Sequence, residues 1–123
     1  MLDKRKFYID GKWVSPSKPN DLEVINPSTE EAFATISLGS KEDTNSAVSA
    51  AKKALVNWSE SSKEERINLL EKLLDIYKKR YSEMTEAISM EMGAPMDWSN
   101  DAQTSSGQSH LEDFIVRLKE FKF

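Results

Sequence analysis

The 123-residue chain contains no cysteine and a single histidine, His110. Without a thiol these residues can form neither a disulfide framework nor a thiolate metal site, and thiol catalysis is excluded within them. One histidine leaves no His-Glu-x-x-His spacing and no Ser-His-Asp set, and a lone histidine beside Leu111 reads as a packing or surface residue. Glycine is scarce: Gly11, Gly39, Gly93 and Gly107 are too scattered for a GxGxxG or a P-loop, so no phosphate cradle can be drawn. No apolar run approaches the roughly 18 to 20 residues of a membrane span. After Lys4-Arg5-Lys6 the chain turns amphipathic at Phe7-Tyr8-Ile9, with no apolar stretch of the signal-sequence kind. Basic charge is not in excess either. Seventeen basic against 21 acidic side chains give a net charge of −4, with no footprint for a phosphate backbone. Trp13, Trp58 and Trp98 are not interleaved with a basic run and read as core and hairpin anchors. The expectation is a cytoplasmic protein with neither a nucleic-acid nor a membrane partner.

What is present is a chain of 38% apolar and 31% charged residues, the size of one small domain. Apolar and aromatic residues flank Asp10-Gly11, a dipeptide that favours a type I′ turn, so Phe7 to Val14 predicts a β-hairpin. The turn formers Ser15 to Asp21, with Pro16 and Pro19, predict a surface loop. Two strands are expected at 22–26 and 32–38, the second alternating Phe33, Thr35 and Ser37 against Ala32, Ala34, Ile36 and Leu38, with a turn at 27–31 between them. Ser40 with Asp43 is a variant capping box. It opens a helix whose stripe of Ala47, Val48, Ala51, Ala54, Leu55 and Trp58 is small enough to pack tightly against a partner. Ser62 with Glu65 is a cleaner capping box before Ile67, Leu70, Leu73, Leu74, Tyr77 and Tyr81. The pattern continues through Met84, Ala87, Ile88 and Met92. A break is predicted near Arg80 to Ser82, where a serine could re-cap the chain, and Gly93 with Pro95 marks a helix end. Polar residues from Asp97 to Ser109 read by propensity as a loop. Helical spacing resumes at Leu111, Phe114, Ile115, Leu118 and Phe121, and Phe121-Lys122-Phe123 carries no cap, which reads as an apolar helix cut short.

The acids offer little chemistry. Glu30-Glu31 and Glu64-Glu65 are sequence neighbours on a turn and at a helix start, and neither setting drives two pKa values apart as an acid/base pair requires. Glu64 and Glu65 suit a helix N-terminus. Glu91 reads as a solvated or structurally bonded side chain.

Five stretches nevertheless occur in a telling order: Tyr8-Ile9-Asp10-Gly11-Lys12-Trp13-Val14; Val24-Ile25-Asn26-Pro27-Ser28-Thr29-Glu30-Glu31; Ala47 to Leu55 leading to Trp58; Glu65-Arg66 before Leu69-Leu70; and Glu91-Met92-Gly93-Ala94-Pro95. Together they resemble the opening of an aldehyde dehydrogenase. The resemblance implies an α/β fold, the amino-terminal part of the coenzyme-binding domain, with strands over 1–39 and helices over 40–123, incomplete as a stand-alone fold. It implies helix where propensity reads loop, from Asp97 to Ser109. It implies a longer enzyme that oxidises an aldehyde to a carboxylic acid with NAD or NADP. In that enzyme a cysteine attacks the aldehyde, an amide and a backbone N–H hold the oxyanion, and a glutamate activates the hydrolytic water. None of those residues, and no cofactor-binding residue, is expected within this chain, which alone is expected to be inactive. The remainder of the enzyme is its expected partner, the complete protein a homodimer or homotetramer. The resemblance also suggests a monovalent-cation site, with main-chain carbonyls of Val24 and Ile25 and the side chain of Gln103, where a neutral amide stands in place of an acid. The run Glu91 to Pro95 with Gln103, Gly107 and His110-Leu111 is closer to broad-substrate bacterial-type members than to the betaine aldehyde branch. The competing expectation is a small self-contained α+β protein-interaction module without catalysis, which should show a capped end and a balanced core.

Overall fold

The structure, a computed structural model, describes residues 1–122; Phe123, part of the uncapped end noted above, lies outside the described residues. The chain divides into two compact units, Met1–Glu60 and Ser61–Phe123.

The first unit is built on two small sheets. Strands β2 (Phe7–Ile9) and β3 (Lys12–Val14) form the expected hairpin, pairing Phe7 with Val14, Tyr8 with Trp13 and Ile9 with Lys12. Asp10 and Gly11 take φ of 52° and 74°, the two positive values a type I′ turn requires. The Tyr8 and Trp13 rings meet across the strands at a tilt of 59°, centroids 5.3 Å apart. The second sheet has the order β1-β5-β4, from β1 (Leu2–Asp3), β4 (Asp21–Asn26) and β5 (Glu31–Ser37). β4 and β5 are antiparallel, and β1 lies parallel to β5 with Leu2 opposite Ala34. β1 was not expected: two residues are too few to carry a pattern, and their place is set by the partner strand. The pairing slips between Val24, opposite Ala34, and Ile25, opposite Ala32, so Phe33 is the extra residue of a bulge. The slip corrects the strict alternation expected of β5, whose buried positions are Ala34 and Ser37.

The turn between β4 and β5 closes on Asn26. Its carbonyl accepts from the Glu30 N–H at 2.8 Å, its side-chain oxygen accepts from the Ser28 N–H at 2.9 Å, and Glu30 has φ of 60°. After β5, helix α1 (Lys41–Trp58) starts on the predicted capping box: Ser40 accepts from the Asp43 N–H, and Asp43 accepts from the Ser40 N–H. Such a cap stabilises a helix by about 1 kcal/mol. The tight packing expected of the α1 stripe is not found among the described residues, for Ala47, Val48, Ala51, Ala54, Leu55 and Trp58 are all exposed.

The second unit is helical. α2 (Lys63–Lys79) has the reciprocal Ser62–Glu65 box, and α3 (Tyr81–Met92) ends at Gly93 with φ of 69°. Between them Arg80 leaves helical geometry at φ −105° and ψ 19°. The break is where it was predicted, but no side chain re-caps it, serine included. α4 (Met96–Trp98) runs through a π-helical stretch, Ser99–Thr104, into α5 (Ser105–Glu120). The loop that propensity suggested is therefore a helix, as the family resemblance implied.

The serine hydroxyls of this polar stretch find partners along it. Ser105 Oγ donates to the Asp101 carbonyl at 2.6 Å and Ser106 Oγ to the Ala102 carbonyl at 2.6 Å. Such back-bonds satisfy the side chains without stabilising the helix. Phe121 is extended at ψ 134°, and α5 ends at Glu120.

Burial is slight. Among the described residues the buried apolar side chains are Ala34 and Ile115, and the buried polar ones are Ser37, Thr85, Ser99 and Thr104. Ile67, Leu70, Leu74, Tyr77 and Tyr81 are half-buried as the inner face of α2 and the start of α3, but Leu73 is exposed. On α3 it is Thr85, not Met84, Ala87 or Met92, that is buried, and on α5 Phe114 is exposed while Ile115 is buried. Trp13, Trp58 and Trp98, expected as anchors, are 67%, 48% and 62% exposed; Trp13 meets the Tyr8 ring across the hairpin. No helix among the described residues is long and apolar enough to cross a membrane.

Candidate functional site

The second unit holds a knot of hydrogen-bonded polar side chains. α2 brings Tyr77, α3 brings Thr85, and the π-helical stretch brings Thr104. Tyr77 Oη donates to the Thr104 carbonyl at 2.9 Å, and the Thr85 and Thr104 hydroxyls share a hydrogen bond at 3.0 Å. Tyr81 Oη donates to the Asn100 carbonyl at 2.6 Å, and the two tyrosine rings meet edge to face, 6.3 Å apart. Two carbonyls of the widened helix thus accept from tyrosine hydroxyls. Gly107 lies against the Tyr77 ring, where a Cβ would come within 2.9 Å of Cζ and closer still to the hydroxyl. Desolvation, then the neighbouring Tyr81, pushes the Tyr77 phenol up, so it stays protonated at neutral pH and acts as a donor. With its hydroxyls bonded to one another and to carbonyls, the knot is a structural cross-tie and has no base to activate a nucleophile.

The first unit offers an ionic cluster. Arg5 reaches Asp3 at 2.8 Å and Asp21 at 3.2 Å, beside a shallow cavity of about 230 Å³ lined by Asp3, Arg5, Lys6, Pro16 and Asp21 among others. The Arg5 hydrogen bonds hold the Asp3 carboxyl down at about 2, and the same pairs push Arg5 up. All three side chains are well exposed, so the cluster is screened by solvent and adds little to stability. Asp43 does more than cap α1: besides the Ser40 N–H it accepts from the Ser17 N–H at 2.9 Å, pinning the proline-rich loop to the helix start. The Ser40 and then the Ser17 backbone hydrogen bonds draw its carboxyl below the usual range. Glu65 is lowered by the Ser62 N–H in the same way. In the second unit Lys78 pairs with Glu112 at 2.8 Å and Lys119 with Glu71 at 2.7 Å, two surface links between α2 and α5.

The residues weighed from the sequence fall in separate places. Glu30 is at a turn with positive φ, Glu31 pairs with Asn26 in the ladder, and Glu64 and Glu65 sit in the first turn of α2. Glu91 lies exposed on α3 and His110 exposed on α5. Val24 and Ile25 flank the bulge of the first unit, whereas Gln103 is half-buried in the second, its Oε1 accepting from the Ser99 hydroxyl at 3.2 Å. No group of three or more His, Cys, Asp or Glu that could hold a metal ion occurs among the described residues. Sequence reasoning missed Thr85, Ser99, Thr104 and Gly107. The signal that could have found them is the tyrosine pair at 77 and 81, whose hydroxyls need partners once partly buried.

A hairpin and short sheet followed by capped helices define an α/β segment. The profile of the Aldehyde dehydrogenase family matches residues 13–121, and the chain belongs to that family. It is 40% identical, over its whole length, to 3-succinoylsemialdehyde-pyridine dehydrogenase of a Pseudomonas species, of which it covers 26%. Among solved structures it is similar to an aldehyde dehydrogenase of Bartonella henselae, with 57% identity, a TM-score of 0.99, all of this chain covered and 26% of the other. A mutant of aldehyde dehydrogenase C from Pseudomonas syringae, solved with NAD+ and octanal, superimposes with a TM-score of 0.94 at 35% identity, covering 97% of this chain and 24% of that one. The chain therefore spans about a quarter of the length of the relatives it matches, and its fold is that of their amino-terminal part.

Proposed function

We propose that these residues are the amino-terminal part of an NAD(P)-dependent aldehyde dehydrogenase, opening its coenzyme-binding domain, and that the complete protein oxidises an aldehyde to a carboxylic acid. The observation that carries the reading is the 57% identity at a TM-score of 0.99 along the whole chain. The nicotinamide cofactor is supported by the NAD+ held in the aldehyde dehydrogenase C structure. Within the complete protein these residues build scaffold: the hairpin, the capped helices and the tyrosine–threonine knot hold surfaces in place, while nucleophile, oxyanion donors and cofactor loops belong to other segments. The chain has no thiol, so the attack on the aldehyde cannot be made from here. By itself it is inactive and binds no nicotinamide. The complete protein is cytoplasmic and a homodimer or homotetramer.

The cation site belongs to the same reading. Val24 and Ile25 carbonyls with the Gln103 amide oxygen would give a sodium or potassium ion a neutral donor set, which holds it loosely. A melting temperature of the complete protein that does not change when choline replaces sodium and potassium would remove it. The module without catalysis is less favoured, because a balanced core would need more than Ala34 and Ile115, the buried apolar side chains among the described residues. The test is direct: the complete protein, given aliphatic and aromatic aldehydes with NAD+ or NADP+, should form reduced nicotinamide and the matching acid. Absence of turnover with every aldehyde and both cofactors would refute the reading.

A further inference from the structure

Every other aspartate of the chain lies in a strand or a helix, but Asp10 stands in the hairpin turn with a glycine after it. Both turn residues are exposed. No hydrogen bond or ion pair holds the Asp10 carboxyl among the described residues, whereas Arg5 holds Asp3 and Asp21, and the Ser17 and Ser40 amides hold Asp43. Ile9 pairs with Lys12, so the Gly11 amide lies outside the ladder, and nothing lies within 4 Å of the point where a side chain on Gly11 would begin. A carboxyl beside an unhindered amide can close on it. The flat five-membered imide so formed fixes the Asp10 ψ at about −120°, which with its φ of 52° is the first central position of a type II′ turn. Types I′ and II′ are both hairpin turns and differ by a flip of the peptide plane between their central residues. Asp10 thus keeps its φ, and Gly11 takes up the flip by moving to negative φ, which glycine adopts as readily. The ring can form without opening the hairpin.

We propose that Asp10-Gly11 is a site at which the chain modifies itself, closing to a succinimide and reopening as isoaspartate. The Gly11 nitrogen bonds to Cγ of the protonated Asp10 carboxyl, a Cγ–O bond breaks, and the oxygen leaves as water with the amide proton. Water then adds to either ring carbonyl. Opening at the Asp10 main-chain carbonyl routes the backbone through Cγ and lengthens it by one carbon; opening at Cγ restores aspartate. Neither step needs an oxidant, a cofactor or a second protein, so the inference is independent of the function proposed above. The added carbon falls between Ile9 and Lys12, where so short a turn has no slack, and it should loosen the pairing of Tyr8 with Trp13 and the contact of their rings. Asn45-Ser46, which could cyclise by the same route, is held inside α1, where helical ψ keeps the following amide from the side chain.

Warm incubation of the complete protein at neutral pH tests the proposal, with peptides mapped by electron-transfer fragmentation, which tells isoaspartate from aspartate. The species lighter by one water, and then isoaspartate, should accumulate at Asp10 several-fold faster than at any other aspartate or at Asn45. The rate should be no lower than in a free peptide of residues 7–14, which as an isolated hairpin is scarcely folded. Asp10→Glu, whose longer side chain would need a six-membered ring, should abolish the change at this position. Asp10→Asn, which loses ammonia in place of water, should speed it. Isomerisation slower in the protein than in the peptide would show that the folded turn keeps the carboxyl from the amide, and Asp10 changing no faster than the other aspartates would show that the turn selects nothing; either result overturns the proposal.

Discussion

Gly107→Ala should destabilise the second unit even though it replaces the poorer helix former with the best one. Propensity alone favours alanine by about 1 kcal/mol. Against that, the new Cβ would sit 2.9 Å from Tyr77 Cζ, well inside the ~3.5 to 4.0 Å of a comfortable carbon contact, and nearer still to the hydroxyl. Tyr77 must swing away. It then leaves the Thr104 carbonyl it bonds at 2.9 Å, on a residue with no solvent exposure. The Thr104 carbonyl keeps its bond within α5, so losing the tyrosine costs roughly 0.5 to 1.5 kcal/mol, and an off-rotamer ring roughly 0.5 to 1.5 more. Against the propensity gain the balance is a net loss of roughly 0 to 2 kcal/mol, centred near 1. In a Tyr77→Phe background the hydroxyl is already absent, so the same Gly107→Ala change should be close to neutral and the two substitutions should couple by about 1 kcal/mol. Native-state hydrogen exchange at α2 and α5 amides reads these opening free energies without needing one sharp transition. Gly107→Ala stabilising by about 1 kcal/mol in both backgrounds would show propensity acting alone and would refute the close approach.

Gly11→Val, at φ 74°, should cost the complete protein on the order of 1 to 3 kcal/mol through backbone strain alone, since nothing lies within 4 Å of the added Cβ; an unchanged melting temperature of the complete protein would contradict the turn. Asp43 has a folded pKa below its ordinary 3.8, so its contribution is present above that value and fades as pH falls through the folded one. Asp43→Asn should therefore weaken the protein at neutral pH and matter progressively less below about pH 4, and a deficit undiminished in acid would count against the double cap. The chain alone should bind a hydrophobic dye, associate in solution and melt without a sharp transition; a monomer with a cooperative melt above about 50 °C would speak for a self-contained module.

The hairpin was legible because Asp10-Gly11 leaves one turn type open, and both capping boxes because a serine three residues before an acid has a fixed hydrogen-bond geometry. Gly93 was legible for the same kind of reason. Other features are set by contacts that no local pattern carries. β1 exists only through its pairing with β5, and Glu30 takes φ of 60° because the Asn26 turn demands it, glutamate itself having no taste for that region. Thr85 and Thr104 are buried although polar because their hydroxyls bond each other and Tyr77 donates to the Thr104 carbonyl, and Ser99 because its hydroxyl donates to Gln103 Oε1; a hydrophobic stripe cannot reveal such positions. Phe114 and the three tryptophans show the reverse, large apolar residues that these 122 described residues leave in water. As for the site, Glu65 was expected at a helix N-terminus and caps α2, as Asp43 caps α1.

The central claim is that this chain belongs to an aldehyde dehydrogenase and holds none of its chemistry. The most direct test is the purified 123-residue chain itself, assayed with a panel of aldehydes and both nicotinamide cofactors and titrated with NAD+ by calorimetry. No reduced nicotinamide should form, and no binding tighter than about 0.1 mM, roughly −5.5 kcal/mol, should appear. Turnover, or tighter binding, would place a cofactor site within these residues and contradict the account.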